Sequence, residues 1–237
     1  MAMWALLSGL RGNLKAYEAV LRDLRRERVS TLFILGDLVG PDPSCHALLE
    51  RLRNPRRGEL QPQCVVGWWD EQLLAEWGYR GRSRADGLRA AQGEAAVESL
   101  LNAVDQADMA WLANLPFGFR ELDCALLHGS SADVSDSLSS DSSPLLLLDR
   151  LTRMDVNRLF TGRSGEQFCV ELSGGLDSNL QHLAGVEEHH QSVPARKVIG
   201  VGCVNPGPTA GPSTYCLYNP GSDQVFFQQV VAQRGFA

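Results

Sequence analysis

Residues 6–21, LLSGLRGNLKAYEAVL, join a short apolar run to a helical repeat through a Gly-containing turn, and this junction decides how the chain folds. Trp4 to Leu7 are continuously apolar and stop at Ser8-Gly9, which predicts a buried strand. From Asn13 to Arg26, apolar residues recur at Leu14, Tyr17, Val20, Leu21 and Leu24, the spacing of an amphipathic helix. Thr31 to Leu35 predict a second buried strand ended by Gly36, and Pro43 to Leu52 a helix stopped by Asn54-Pro55. Cys64 to Val66 predict a third strand. Strand, helix, strand, helix, strand at this spacing implies parallel pairing through right-handed crossovers. Ligands sit in the loops at the carboxyl ends of such strands. In this chain those loops carry Gly9, Arg11, Asp37, Trp68 and Trp69.

From Glu71 to Leu115 the pattern is mostly helical, with Leu100, Val104 and Leu112 on inner faces, and it ends in the turn LPFG. Cys124 to Leu127 and Arg158 to Phe160 predict further strands. Between them, SADVSDSLSSDSSP is too polar to pack and is expected to form a mobile surface loop at about 131–143. From Gln167 onward, FCVEL, KVIGVGCV, TYCLYN and QVFFQQVV alternate with Gly and Pro turns. They predict antiparallel strands forming the second half of a sandwich, with a polar insert at about 174–196 as a long loop.

Composition bounds the function classes. A chain of 237 residues with 44% hydrophobic content fits one domain, 1–237, around one sizeable core. The net charge of −6 predicts no nucleic-acid partner. The arginine clusters at 22/25/26/28, 51/53/56/57 and 80/82/84 read as solvated faces. Six cysteines without C-x-x-C spacing read as buried thiols in a reducing, cytoplasmic setting. No apolar run is long enough to span a membrane, and the N-terminus lacks the basic and apolar regions of a secretory signal. His182, His189 and His190 lie in the polar insert with no register to converge them on a metal. Neither a G-x-x-x-x-G-K-[ST] loop nor a G-x-S-x-G elbow occurs.

The motif skeleton resembles the calcineurin-like metallophosphoesterases, bacterial phosphodiesterases among them, from end to end. That family follows its first strand with Ser-Asp-x-His-Gly-Asn, where this chain has Gly9 for the Asp and Arg11 for the His. LFILGDLVGPDP keeps the Gly-Asp pair as Gly36-Asp37, and Gly-Asn-His-Asp becomes Gly67-Trp68-Trp69-Asp70. ALLHGS supplies His128, FTGRSG stands where Gly-His-Thr-His is expected, and VNPGPTAGP resembles the closing Asn-Pro-Gly stretch. The resemblance implies a four-layer α/β/β/α sandwich of two mixed sheets. It also implies seven metal-ligand positions for two ions such as Mn, Fe or Zn. Asp37 and His128 match them, whereas Gly9, Arg11, Trp68, Arg163 and Gly165 occupy the other five, and Trp69 stands at the catalytic His.

Two ligands cannot hold a two-ion centre, and a guanidinium has no lone pair to offer. No catalytic residue and no cofactor are therefore expected. The expected function is that of a degenerate, catalytically inactive binding, scaffold or regulatory module whose partner is another protein. Two alternatives stand beside it. One is a residual metal-dependent phosphoesterase on Asp37 and His128, with Asp70 as a third donor. The other is a sensor in which Arg11 and Arg163 bind a phosphate-bearing ligand beside Trp68 and Trp69. Losing the metals would leave Asp37 as a lone buried charge, so one or both arginines are expected to pair with it.

Overall fold

The computed structural model describes residues 3–79, 85–172, 176–182, 185–191, 195–207 and 211–230. The expected opening is present. Strand β1 (Met3–Leu7) leads to helix α1 (Leu14–Leu24), β2 (Val29–Leu35), α2 (Cys45–Arg53) and β3 (Pro62–Val65). Asn13 caps α1 by accepting a hydrogen bond from the Ala16 N–H. Helices α3 (Trp68–Glu76), α4 (Asp86–Gln92), α5 (Glu94–Asn102) and α6 (Gln106–Ala113) follow, and Leu100, Val104 and Leu112 are buried as their spacing requires. Next come β4 (Gly118–Glu121), β5 (Cys124–Leu127), α7 (Pro144–Met154), β6 (Arg158–Thr161) and β7 (Gln167–Leu172). The last strands are β8 (Leu176–His182), β9 (Gly185–Gln191), β10 (Arg196–Val201), β11 (Ser213–Asn219) and β12 (Gln224–Val230).

Two mixed five-stranded sheets result, ordered β12-β11-β1-β2-β3 and β4-β5-β6-β10-β7. In the first, β1, β2 and β3 are parallel and β11 and β12 antiparallel; in the second, β5, β6 and β10 are parallel, flanked by antiparallel β4 and β7. Strand alternation sends one set of side chains to each face. Trp4, Leu6, Phe33, Leu35 and Tyr218 of the first sheet meet Leu126, Phe160, Ile199 and Val201 of the second in a core between the sheets. The opposite face of the first sheet, including Leu7, Leu32 and Ile34, packs under α1 to α6. The outer face of the second, including Leu127, Leu159 and Val198, packs under α7. These are the four α/β/β/α layers. Among the described residues, no helix is long and apolar enough to cross a membrane.

Three expectations are corrected. The tail does not build one half of the sandwich: β7 and β10 join the second sheet, whereas β11 and β12 return to extend the first beside β1. The insert read as a long loop contains the antiparallel hairpin β8–β9, and the side chains of its three histidines lie outside the described residues. The Ser/Asp-rich stretch packs, because Val134 and Leu138 are buried and Leu138 joins the core under α7. Its polar groups find local partners: the Ser130 hydroxyl donates to Asp136, and Arg150 Nε bonds Asp136 at 2.8 Å. The stretch ends at Ser143, which caps α7 by accepting from the Leu146 N–H. Truncating Leu138 to Ala should therefore destabilise the protein by about 2–5 kcal/mol in denaturant unfolding. A loss of about 0.5 kcal/mol or less would mark the segment as surface.

Candidate functional site

Six loops from both sheets, after β1, β2, β3, β5, β6 and β10, converge at the strand ends. The loop after β1 is stitched to the loop after β2 by Gly9 N–H to Gly36 carbonyl (3.1 Å) and Arg11 N–H to Asp37 carbonyl (2.9 Å). The chain after β6 donates from Gly162 and Arg163 N–H to the His128 carbonyl, each at 2.8 Å. The segment after β10 donates from Val204 N–H to Ser8 carbonyl and from Asn205 N–H to Gly9 carbonyl, each at 2.9 Å. At Gly67 the third loop approaches so closely that an added Cβ would lie 1.9 Å from the Asp37 nitrogen, so no other residue fits there.

Asp37 is the centre of this convergence, with its side chain only 2% exposed. Its Oδ1 accepts from the Trp69 N–H at 2.9 Å and lies 3.2 Å from His128 Nε2. Its Oδ2 faces Arg11 Nε at 4.0 Å. His128 Nδ1 lies 2.7 Å from the Leu35 carbonyl, which can only accept, so Nδ1 carries a proton and Nε2 is left toward the carboxylate. Burial alone would raise the Asp37 pKa, but the charge and contact of His128, the Trp69 N–H and Arg11 together hold it below the ordinary range. Burial alone would lower the His128 pKa, but Asp37 and the Leu35 carbonyl raise it above the ordinary range. The two form a close buried pair in which each favours the charged form of the other. Asp37 and Arg11 both have left-handed backbones, with φ of 53° and 45°. Such strain persists only where surrounding contacts over-determine it.

Asp70 is fully buried beside this pair. Its Oδ1 accepts from the Leu38 and Val39 N–H groups, each at 3.0 Å, and its Oδ2 from the Gly67 N–H at 2.8 Å. Burial, then the Asp37 charge, push its pKa up to about 7 against those backbone bonds. The carboxylate thus ties the second loop to the start of α3. Both of its oxygens are engaged.

The two indoles occupy distinct places. Trp69 is buried in the helix-side core, with Arg11 5.9 Å from its ring centroid. Trp68 meets Trp69 edge to face at 6.4 Å and carries the Arg163 guanidinium over its ring at 4.5 Å. The expected pairing with Asp37 is therefore met only loosely by Arg11 and not by Arg163, because His128 already lies against the carboxylate. Gly9 has φ of 65°, and a Cβ added to it would lie 2.5 Å from Cys203 Sγ. A Cβ on Gly165 would lie 3.4 Å from Cys203 Cβ, so this buried thiol sits beside two of the positions where the resemblance implies ligands. Burial raises the Cys203 pKa, which keeps the thiol neutral.

This donor set does not fit two metal ions. Arg11, Arg163, Trp68, Gly9 and Gly165 offer no side-chain lone pair, Asp37 and His128 neutralise one another, and Asp70 is held by three backbone N–H groups. Asp37, His128 and Asp70 do not bring three ligand atoms within 4.8 Å of one another. Among the described residues, only His46, Asp105 and Asp108 do so, a group the sequence reading missed. There Asp105 and Asp108 form the capping box of α6, while Asp108 pairs with His46 Nδ1 at 2.7 Å and with Arg53 at 2.5 Å. The D-x-x-D spacing at the helix start was its sequence signal. With a guanidinium already on Asp108, the group is a clamp between α2 and α6.

An open cleft of about 1170 Å³ runs from Arg11 and Trp69 past Asn13, Asp42 and Asn205.

In overall shape the chain is similar to a metallophosphoesterase from Sphaerobacter thermophilus, with a TM-score of 0.69 at 20% identity over 97% of this chain and 88% of that one. It is equally similar to a hypothetical protein from Pyrococcus horikoshii OT3, with a TM-score of 0.70 at 18% identity over 99% and 90%. No protein-family model and no curated protein matches the sequence. The chain has the metallophosphoesterase fold.

Two outcomes follow from the Asp37–His128 pair. In double-mutant cycles read by denaturant unfolding, removing His128 should strand the carboxylate at a cost of about 3–5 kcal/mol. The Asp37–Arg11 coupling should be about 1 kcal/mol or less, and Asp37 with Arg163 should be additive within about 0.5 kcal/mol.

The second outcome is a pH dependence. The raised His128 pKa gives stability that is complete below about 6.5 and is lost as pH rises through the folded value. The lowered Asp37 pKa gives stability present above about 3.9 and lost as pH falls through the folded value. Asp70 acts in the same sense as His128, since below its folded pKa of about 7 it keeps a proton that the unfolded chain has released. Unfolding midpoints should therefore fall between about pH 5 and 8. His128→Gln should flatten that slope.

Proposed function

We propose that this chain is a non-hydrolytic binding module on a metallophosphoesterase fold, its strand-end site working without metal as a charge-paired wall of the cleft. The observation that carries the reading is His128 Nε2 at 3.2 Å from Asp37 Oδ1, the two donors that match the expected ligands spent on each other. Asp37 favours the protonated imidazole, whose positive charge would stand where a cation's would, and their contact engages both of the expected ligands. The Trp69 ring, where the resemblance implies a catalytic imidazole, is packed in the core and has no titrating group.

The residual-hydrolase alternative needs a third oxygen donor, and Asp70 is the buried carboxylate that feels the Asp37 charge. Its engagement by Leu38, Val39 and Gly67 weighs against it, because freeing either oxygen would break a loop cap. The protein partner remains part of the proposal, with the cleft and its flanking loops as the surface offered.

The test is elemental analysis of purified protein together with a phosphodiester hydrolysis assay in added manganese. Less than about half an equivalent of tightly held transition metal and no metal-dependent turnover are expected from so few donors. Two equivalents, or turnover abolished by Asp37→Asn, would overturn the reading.

A further inference from the structure

The two five-stranded sheets end in four edge strands, and three of these carry features that keep an edge from pairing. Strand β3 has four residues and opens on Pro62, β4 has four and exposes Arg120 and Glu121, and β7 exposes Glu171. Short length, proline and charge each discourage a further strand. Strand β12 has none of them. Its seven residues, Gln224–Val230, carry no charge and no proline, and among the described residues it is bonded to β11 on one side and to no strand on the other. Its register sets Phe227 beside Cys216 and Phe226 beside Leu217, so the two rings stand on opposite faces of the sheet. They are 40% and 41% exposed. A lone edge gives neither ring a cross-strand partner on its outer side. Asp223, in the turn before the strand, is paired with Arg158 and Lys197. Gln167 of β7 donates to the Gln228 carbonyl at 3.1 Å, which holds the strand in place while both rings stay exposed.

We propose that β12 pairs with β12 of a second copy of this chain, antiparallel about a two-fold axis at Phe227. An extended strand is the occupant that takes up a row of open N–H and C=O groups. Charge then selects which strand. The chain carries a net charge of −6, so copies of it repel on the whole, and an uncharged strip is where they meet without setting carboxylates face to face. A second β12 offers the same length and the same lack of charge. Two-fold pairing uses both edges at once and closes the assembly, whereas head-to-tail addition would leave an edge open at each end. With Phe227 opposite the partner's Phe227, Phe226 lies opposite the partner's Gln228 and Val225 opposite the partner's Gln229. Each ring thereby gains a neighbour on its own face, and the two first sheets become continuous. One strand pair is small beside the roughly 1,200 Å² of a stable interface, so the dimer dissociates on dilution.

The experiment is sedimentation velocity of the full chain over about a hundredfold range of concentration. A monomer–dimer equilibrium is expected, unchanged by chelator because the strand-end site takes no part in it. Phe227→Lys should raise the dissociation constant at least about tenfold, since a lysine on an edge strand opposes pairing. Cross-linking gives a second readout that does not depend on how that variant folds. Cys169 is the exposed thiol among the free cysteines, so the background is Cys169→Ser. In it, Phe227→Cys should give a disulfide-linked dimer on mild oxidation, because residues at the axis face each other within disulfide reach. Gln224→Cys should not, because its two copies stand at opposite ends of the paired strands. A chain that stays monomeric throughout, a dimer that a folded Phe227→Lys variant leaves intact, or absence of cross-linking at 227 overturns the proposal.

Discussion

A full negative charge on Asp37, buried where two sheets meet, is the constraint around which the strand ends are arranged. An uncompensated carboxylate there would cost several kcal/mol. The fold supplies compensation from three directions: the Trp69 N–H at the start of α3, the His128 imidazole from the second sheet, and the more distant Arg11 guanidinium. His128 matters most because it crosses between sheets. Its Nδ1 bonds the last residue of β2 while its Nε2 meets the carboxylate two residues further on, so a single ring ties the two layers together at their functional end. The close approach at Gly67 and the left-handed backbones at Arg11 and Asp37 are what this convergence demands of the chain.

Much of the architecture was legible because it rests on local patterns. The β1–α1–β2–α2–β3 order follows from apolar runs ending at Gly9 and Gly36 and from the helical repeat of Tyr17, Val20 and Leu24. These signals also placed Gly9, Arg11, Asp37, Trp68 and Trp69 at the ends of parallel strands, where they lie. Helix α7 was not legible, since four consecutive leucines at 145–148 blur the helical period and a polar stretch precedes them. The split of the tail between sheets was hidden for another reason. Strands β10 and β11 have the same apolar character, and only long-range pairing decides that one lies beside β6 and the other beside β1.

Within the site, sequence could name residues but not partners. Arg11 and Arg163 both looked like replacements for lost positive charge, and only three-dimensional geometry separates them. Arg11 reaches toward the carboxylate, whereas Arg163 turns onto Trp68. The arginine with the weaker claim on Asp37 is therefore the one left with donors to spare. Substitution of an indole next to a substituted imidazole acquires a meaning as a pair that neither change has alone, since Trp68 is the surface that holds Arg163 in place.

Cys203 shows that more than ligand chemistry separates this site from a metal centre. A carboxylate at position 9 would need the space that the Cys203 sulfur fills, 2.5 Å from where its Cβ would stand. That sulfur also lies 3.5 Å from the Gly9 carbonyl, on a segment whose N–H groups at 204 and 205 bond the first loop. Restoring an Asp there would require the β10–β11 connection to retreat, and with it the hydrogen bonds that position Arg11. The absence of a side chain at Gly9 and the thiol at Cys203 are mutually dependent, because interiors pack too closely for one to change while the other stays. On the metal-free reading proposed above, the site is a packed polar junction with its own internal logic rather than a metal centre missing some of its ligands.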